Sequence, residues 1–194
     1  MLVRPLIARA IFAVSRYRLV SEAPPAGSMV AIGAPHTSNW DFVLMFAICW
    51  RHHLRPKWLG KHQLFKPPFG WLMRALGGIP VDRGNPAGLV DGIVASVHDG
   101  GPVVLVIAPE GTRGRGDRWK SGFYRIARDA GLPIVLGYVD SASRTTGLGP
   151  AIHVSGDVTA DMDRIHNFYA DKRGIHPAGF TPPWISEEGA RPAN

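Results

Sequence analysis

The chain has 194 residues, 45% of them apolar and 19% charged, which fits one domain with a full core and excludes a mainly disordered chain. A formal charge of +7 favours a polyanionic partner without choosing among anionic lipid, nucleic acid and a phosphorylated substrate. The single cysteine, Cys49, excludes an intrachain disulfide and a cysteine-rich zinc site, and its apolar neighbours suit a small core residue.

At the start of the chain, Leu2, Val3, Leu6, Ile7, Ala10, Ala13, Val14 and Tyr17 share one arc at about 100° per residue. Arg9 and Arg16 border that arc on one side and Arg4 on the other. Residues 1–20 therefore read as an amphipathic basic helix, either packed on the core or lying in a membrane interface with its arginines at the phosphates. The same arginines interrupt any secretory signal, and no run of about 20 apolar residues exists. The expectation is a retained, cytoplasmic chain without a spanning helix, held peripherally at the cytoplasmic face of a membrane.

After a loop over 21–28, Met29 to Gly33 reads as a short buried strand and Trp40 to His53 as a helix. Further strands are expected over 57–60, 78–81, 102–108, 133–139 and 151–154. Helices are expected around 69–75, 86–98, 121–131 and 160–172. This alternation predicts a single α/β domain over 21–173, with a mostly parallel central sheet flanked by helices. The apolar run up to Ala108 suits a central strand covered on both faces, so the loop after it belongs at a carboxyl edge. Residues 174–194, rich in proline and glycine, read as an irregular tail.

Three segments carry chemistry. In the first, His36 follows a strand and Asp41 falls at a helix start, so the turn between them can fold the two side chains together as a base held in one tautomer. The plainer alternative leaves His36 bonded to backbone and Asp41 capping the helix. Spacing alone does not decide, because His166 and Asp171 repeat it inside a helical segment, where positions five apart lie about 140° apart.

The second segment is Pro109-Glu110-Gly111-Thr112-Arg113, at the sheet edge where open α/β folds bind ligands. Gly111 permits a tight turn, and Thr112 and Arg113 offer donors suited to phosphate. The third runs from Lys61 to Arg83 and mixes cations with aromatics, a composition compatible with lipid contact and equally with a packed helix and hairpin. No helix-turn-helix, zinc-finger or aromatic RNA-binding signature appears, so nucleic acid is not the expected partner. No metal site is expected.

These blocks, in this order, resemble those of the glycerophosphate and lysophosphatidate acyltransferase superfamily. His36 to Asp41 is similar to its His-x4-Asp block, Lys61 to Arg83 to its second block, Pro109 to Arg113 to its Pro-Glu-Gly-Thr-Arg block, and Leu132 to Leu136 to its apolar-proline block. The resemblance covers about residues 30–140. It implies a glycerol-3-phosphate acyltransferase-like fold in which His36 deprotonates an acceptor hydroxyl and Asp41 orients the ring. It further implies acceptor-phosphate contacts from Lys61, Arg83 and Arg113, a site shaped by Glu110, Gly111 and Thr112, and acyl-CoA or acyl-carrier protein as co-substrate with no cofactor.

The function so implied is O-acylation of a lysophospholipid, with 1-acyl-sn-glycerol-3-phosphate as the first acceptor. Alternatives are another lyso-lipid such as a lyso-ornithine lipid, hydrolysis by the same base, or a non-catalytic module for anionic lipid. No Gly-x-Ser-x-Gly elbow supports a serine-hydrolase route.

Overall fold

A computed structural model describes residues 3–81, 92, 93, 95 and 102–188. Among them lie helix α1 (Val3–Ser15), strand β1 (Arg18–Leu19), β2 (Met29–Ala34), α2 (Asn39–Arg51), β3 (Pro56–Lys61), α3 (Gly70–Ala75) and β4 (Gly78–Val81). They are followed by β5 (Val104–Ile107), α4 (Gly122–Asp129), β6 (Ile134–Asp140), β7 (Thr145–Ile152) and α5 (Val158–Tyr169). Arg83 and most of the helix expected over 86–98 lie outside the described residues. Within that helix, Gly92, Ile93 and Ala95 are helical, and Ile93 is buried in the core.

The strands form one sheet in the order β1-β7-β6-β2-β5-β3-β4. Every pairing is parallel except β6 with β7. The expected α/β class and mostly parallel sheet are thus those of the molecule. Strand β2 is central because its Met-Val-Ala-Ile run gives both faces an apolar side chain, and β5 and β6 flank it with similar runs.

Alternation along these strands separates two cores. Val30, Ile32, Leu105, Ile134 and Leu136 point to the face covered by α4, α5 and the C-terminal segment. Met29, Ala31, Val104, Val106 and Val135 point to the other, where α2 and the 58–76 segment contribute Phe46, Ile48, Trp58 and Phe65.

Strand β7 differs from expectation. The sequence pattern predicts a strand over 151–154, whereas β7 runs Thr145–Ile152 and returns antiparallel along β6. Gly147 and Gly149 give this stretch a turn-like composition, but they serve close approach. A Cβ on Gly147 would sit 2.1 Å from the Val20 carbonyl oxygen, and one on Gly149 would sit 2.4 Å from the Phe168 ring. The two-residue edge strand β1 is too short to carry a sequence pattern.

Candidate functional site

Parallel strands deliver their carboxyl ends to one edge. At the end of β2 the chain passes through a cis Ala34–Pro35 bond to His36 and Thr37, and Ser38 then caps α2. The Ser38 hydroxyl accepts from the Trp40 amide at 3.2 Å. Asp41 Oδ2 accepts from the Thr37 and Ser38 amides, each at 2.7 Å, which completes a capping box.

The same Oδ2 lies 3.5 Å from His36 Nδ1, with Asp41 buried and the imidazole a quarter exposed. The two readings of this segment are therefore compatible: Asp41 caps the helix and faces the histidine. Its other oxygen, Oδ1, is buried and has no hydrogen-bond partner among the described residues. At 3.5 Å the His–Asp contact is longer than a formed hydrogen bond, the spacing often found before a substrate tightens such a pair. With Nδ1 turned to Asp41, Nε2 is left to face a ligand.

The second block comes after β5, the parallel neighbour of β2. Glu110 turns inward. It is only 3% exposed, and its Oε1 accepts from the His36 amide at 2.6 Å while Oε2 accepts from the Thr181 amide at 3.3 Å. Burial pushes its carboxyl up to about 7, opposed in part by those two N–H donors. Glu110 thus ties the β2 loop to the C-terminal segment, and its side chain does not line the outer surface.

Beyond it the chain turns outward. Gly111 takes φ +68° at the turn, where glycine is favoured, and Thr112 and Arg113 are exposed. Lys61, at the end of β3, is also exposed on this edge, one strand beyond β5. With strands about 4.8 Å apart, Lys61 is displaced roughly 10 Å across the sheet from the β2 terminus. Arg113 and Lys61 thus follow β5 and β3, on the side of β2 away from β6. Strand β4 ends at Val81 beside Lys61 on this same edge, and Arg83 is outside the described residues.

One contributor was not visible in the sequence. Residues 174–188 are irregular, with two short 3-10 turns, yet they lie against both loops. The Thr37 hydroxyl accepts from the His176 amide at 3.0 Å. Thr181, fully buried, accepts from the Gly116 amide at 2.8 Å through its hydroxyl and from the Trp119 indole at 2.8 Å through its carbonyl. A Cβ on Gly174 would approach the Thr37 hydroxyl to 2.6 Å, and one on Gly179 the Arg113 carbonyl to 2.7 Å. These glycines lack periodicity and could have been recognised only by the contacts they permit.

The repeated spacing at His166 and Asp171 has no such geometry. His166 stacks on Trp184 at 4.5 Å, and Asp171 pairs with Lys172. Cys49 is buried in α2 and burial pushes its thiol up to about 12, so it is no nucleophile. A hollow of about 320 Å³ between the start of α1 and the end of α2 is lined by Arg4, Trp50, His53 and Arg55. It lies at the far end of α2 from His36, roughly 20 Å away at 1.5 Å per residue.

A partly exposed histidine faces a buried carboxylate beside a loop of exposed donors at a parallel-sheet edge, an arrangement suited to base chemistry. The family model described as Acyltransferase matches residues 16–136, which include both loops, and the chain belongs to that family. It is an acyltransferase. Its fold is similar to that of the 1-acyl-sn-glycerophosphate (LPA) acyltransferase PlsC from Thermotoga maritima, with a TM-score of 0.58 at 15% identity over 86% of this chain and 75% of that one. No curated protein sequence matches the chain significantly.

Proposed function

We propose that this acyltransferase moves a fatty acyl group from acyl-CoA or acyl-carrier protein to the free hydroxyl of a lysophospholipid, with 1-acyl-sn-glycerol-3-phosphate as the leading acceptor. The observation that carries the reading is the His36–Asp41 pair, with exposed Thr112 and Arg113 in the loop after the neighbouring strand β5 and exposed Lys61 at the end of β3 beyond it. An acceptor whose phosphate sits a few bonds from its hydroxyl fits that offset, and Arg113 suits the phosphate by its forked donors.

In the proposed step, His36 Nε2 takes the hydroxyl proton as the oxygen attacks the thioester carbonyl. Asp41 supports the resulting imidazolium through Nδ1–H. Collapse of the tetrahedral intermediate expels a thiolate, which accepts the proton from His36. The ester C–O bond replaces the C–S bond, and no acyl-enzyme forms. Glu110 acts at one remove, holding the His36 amide in place.

Contact with a membrane is supported by α1. Of the expected arc, Val3, Leu6, Ile7, Ala10, Ala13 and Val14 are exposed, whereas Tyr17 lies past the end of the helix and is buried, and Ala8, Ile11 and Phe12 on the other side meet the core. An ordinary surface helix would turn that arc inward. No helix among the described residues is long and apolar enough to cross a membrane, so the attachment proposed is peripheral, at the cytoplasmic face.

The test is thiol release across a panel of lyso-lipid acceptors, with mass determination of the product. Turnover with lysophosphatidate and an added acyl mass supports the reading. Turnover only with phosphate-free lyso-lipids rejects the acceptor, and fatty acid release without acylation rejects transfer in favour of hydrolysis.

A further inference from the structure

All the large apolar side chains strongly exposed among the described residues fall within the first 71 positions. In sequence, residues 1–81 carry ten Lys and Arg against only Glu22 and Asp41, while residues 82–194 are nearly balanced. The exposed apolar surface and the excess positive charge therefore occupy the same part of the chain. Helix α1 accounts for one share of that surface. A second share is Leu64, Phe69 and Trp71, exposed by 49%, 66% and 70%.

These three side chains are presented by a tightly fixed element. Phe65 turns inward and stacks on Trp58 with ring centres 5.7 Å apart. The Arg74 guanidinium lies 5.5 Å from the Phe65 ring centre and donates to the Phe65 carbonyl at 3.0 Å. Gly70 packs so closely that a Cβ would meet the Phe65 carbonyl oxygen at 2.0 Å. Phe65 is thus the anchor, and Leu64, Phe69 and Trp71 project from a braced turn. Lys61, Lys66 and Arg74 are exposed around them, and no acidic residue occurs between Asp41 and Asp82.

We infer that Leu64, Phe69 and Trp71 form a second membrane-inserting ridge, which docks an anionic bilayer on the α1–α2–α3 face of the molecule. Aromatic and leucine side chains ringed by cations, with no carboxylate among them, match an interface in which apolar groups enter the acyl boundary and lysines meet phosphates. The ridge packs over β3 and β4, whereas α1 packs beside α2 toward β6 and β7. Trp40, half-exposed at the start of α2 and four residues from His36, adds a third exposed aromatic side chain near the site. A two-point attachment would hold the mouth of the site against the surface that supplies its acceptor. This rests on the lipid-acceptor reading above.

The experiment is sedimentation with phosphatidylglycerol–phosphatidylcholine vesicles, comparing the full chain with Leu64→Ser/Phe69→Ser/Trp71→Ser. The positions are exposed, so the variant should keep its fold and melting temperature. Its partitioning should fall at least about tenfold, with thiol release toward a short-chain acceptor dispersed as monomer unchanged within about threefold. In an independent readout, vesicles of brominated lipid should quench wild-type tryptophan emission more than that of Trp71→Phe.

Partitioning within twofold of wild type, or equal quenching in Trp71→Phe, overturns the inference. So does a wild-type dimer in solution that the triple variant dissolves, because the ridge then meets a second copy. If no lyso-lipid is acylated yet vesicle binding still depends on the ridge, the proposed reaction fails and the ridge stands.

Discussion

The two loops that build the site are made differently. The 34–41 loop is fixed from several sides: Asp41 accepts two amides, Glu110 accepts the His36 amide, and Thr37 is held by the chain at His176. The 109–116 loop is fixed at its two ends, by Glu110 and by the Gly116 bond to Thr181, and its middle faces solvent. Proton transfer demands placement to a fraction of an ångström, whereas grasping a phosphate tolerates adjustment of long side chains. In the proposed reaction, the rigid first loop suits proton transfer and the freer second loop suits recognition of a phosphate.

Replacement of the base should break that contrast most severely. His36→Ala should lower kcat about 10³-fold with an unchanged melting temperature, as measured by thiol release and calorimetry. Asp41→Asn comes next. It keeps an oxygen to cap α2 but removes the charge facing the ring, so kcat should fall about 10²-fold while stability drops by about 1 kcal/mol at most.

Glu110→Gln bears on both loops, because the buried carboxyl accepts from the His36 and Thr181 amides. Glutamine offers one acceptor where two amides need partners, so kcat should fall about tenfold with little change in KM. The variant also carries a pH signature. The folded carboxyl, pushed up to about 7 from an ordinary 4.5, binds its proton more tightly than the unfolded one. Wild-type stability should therefore decline as pH rises from about 4.5 to about 7 and level off above, and the component due to Glu110 should vanish in Glu110→Gln urea melts.

Arg113→Ala should act on recognition. With lysophosphatidate, kcat/KM should fall about tenfold through KM, and with a phosphate-free acceptor it should hold within about twofold. Smallest of all, Cys49→Ala should leave turnover within about twofold, because the thiol is buried and protonated.

Much of this arrangement was legible in the chain. The apolar runs at Met29 and Val104 are long enough to mark central strands, and central parallel strands send the loops at their carboxyl ends to one edge. That was enough to bring His36 and Glu110 together across 74 positions. Other features depended on contacts that no pattern records. Glu110 reads as a polar loop residue beside Thr112 and Arg113, yet it points the opposite way because two amides, at His36 and Thr181, need its oxygens. The chain from Gly174 reads as a loose tail, although Thr181 is fully buried. The arc of α1 was clear by periodicity, but which side met the core was settled by Ala8, Ile11 and Phe12, small in number and outside the arc.

The proposed reaction is a direct transfer in which His36 activates the acceptor. Single-turnover thiol release from acyl-CoA, with and without lysophosphatidate, tests it most directly when paired with mass analysis of the intact protein. Release should occur only with acceptor present, with an equal amount of new ester and no acyl adduct on the protein, and His36→Ala should lose all release above background. A burst of thiol without acceptor, or an acylated protein, would contradict direct transfer.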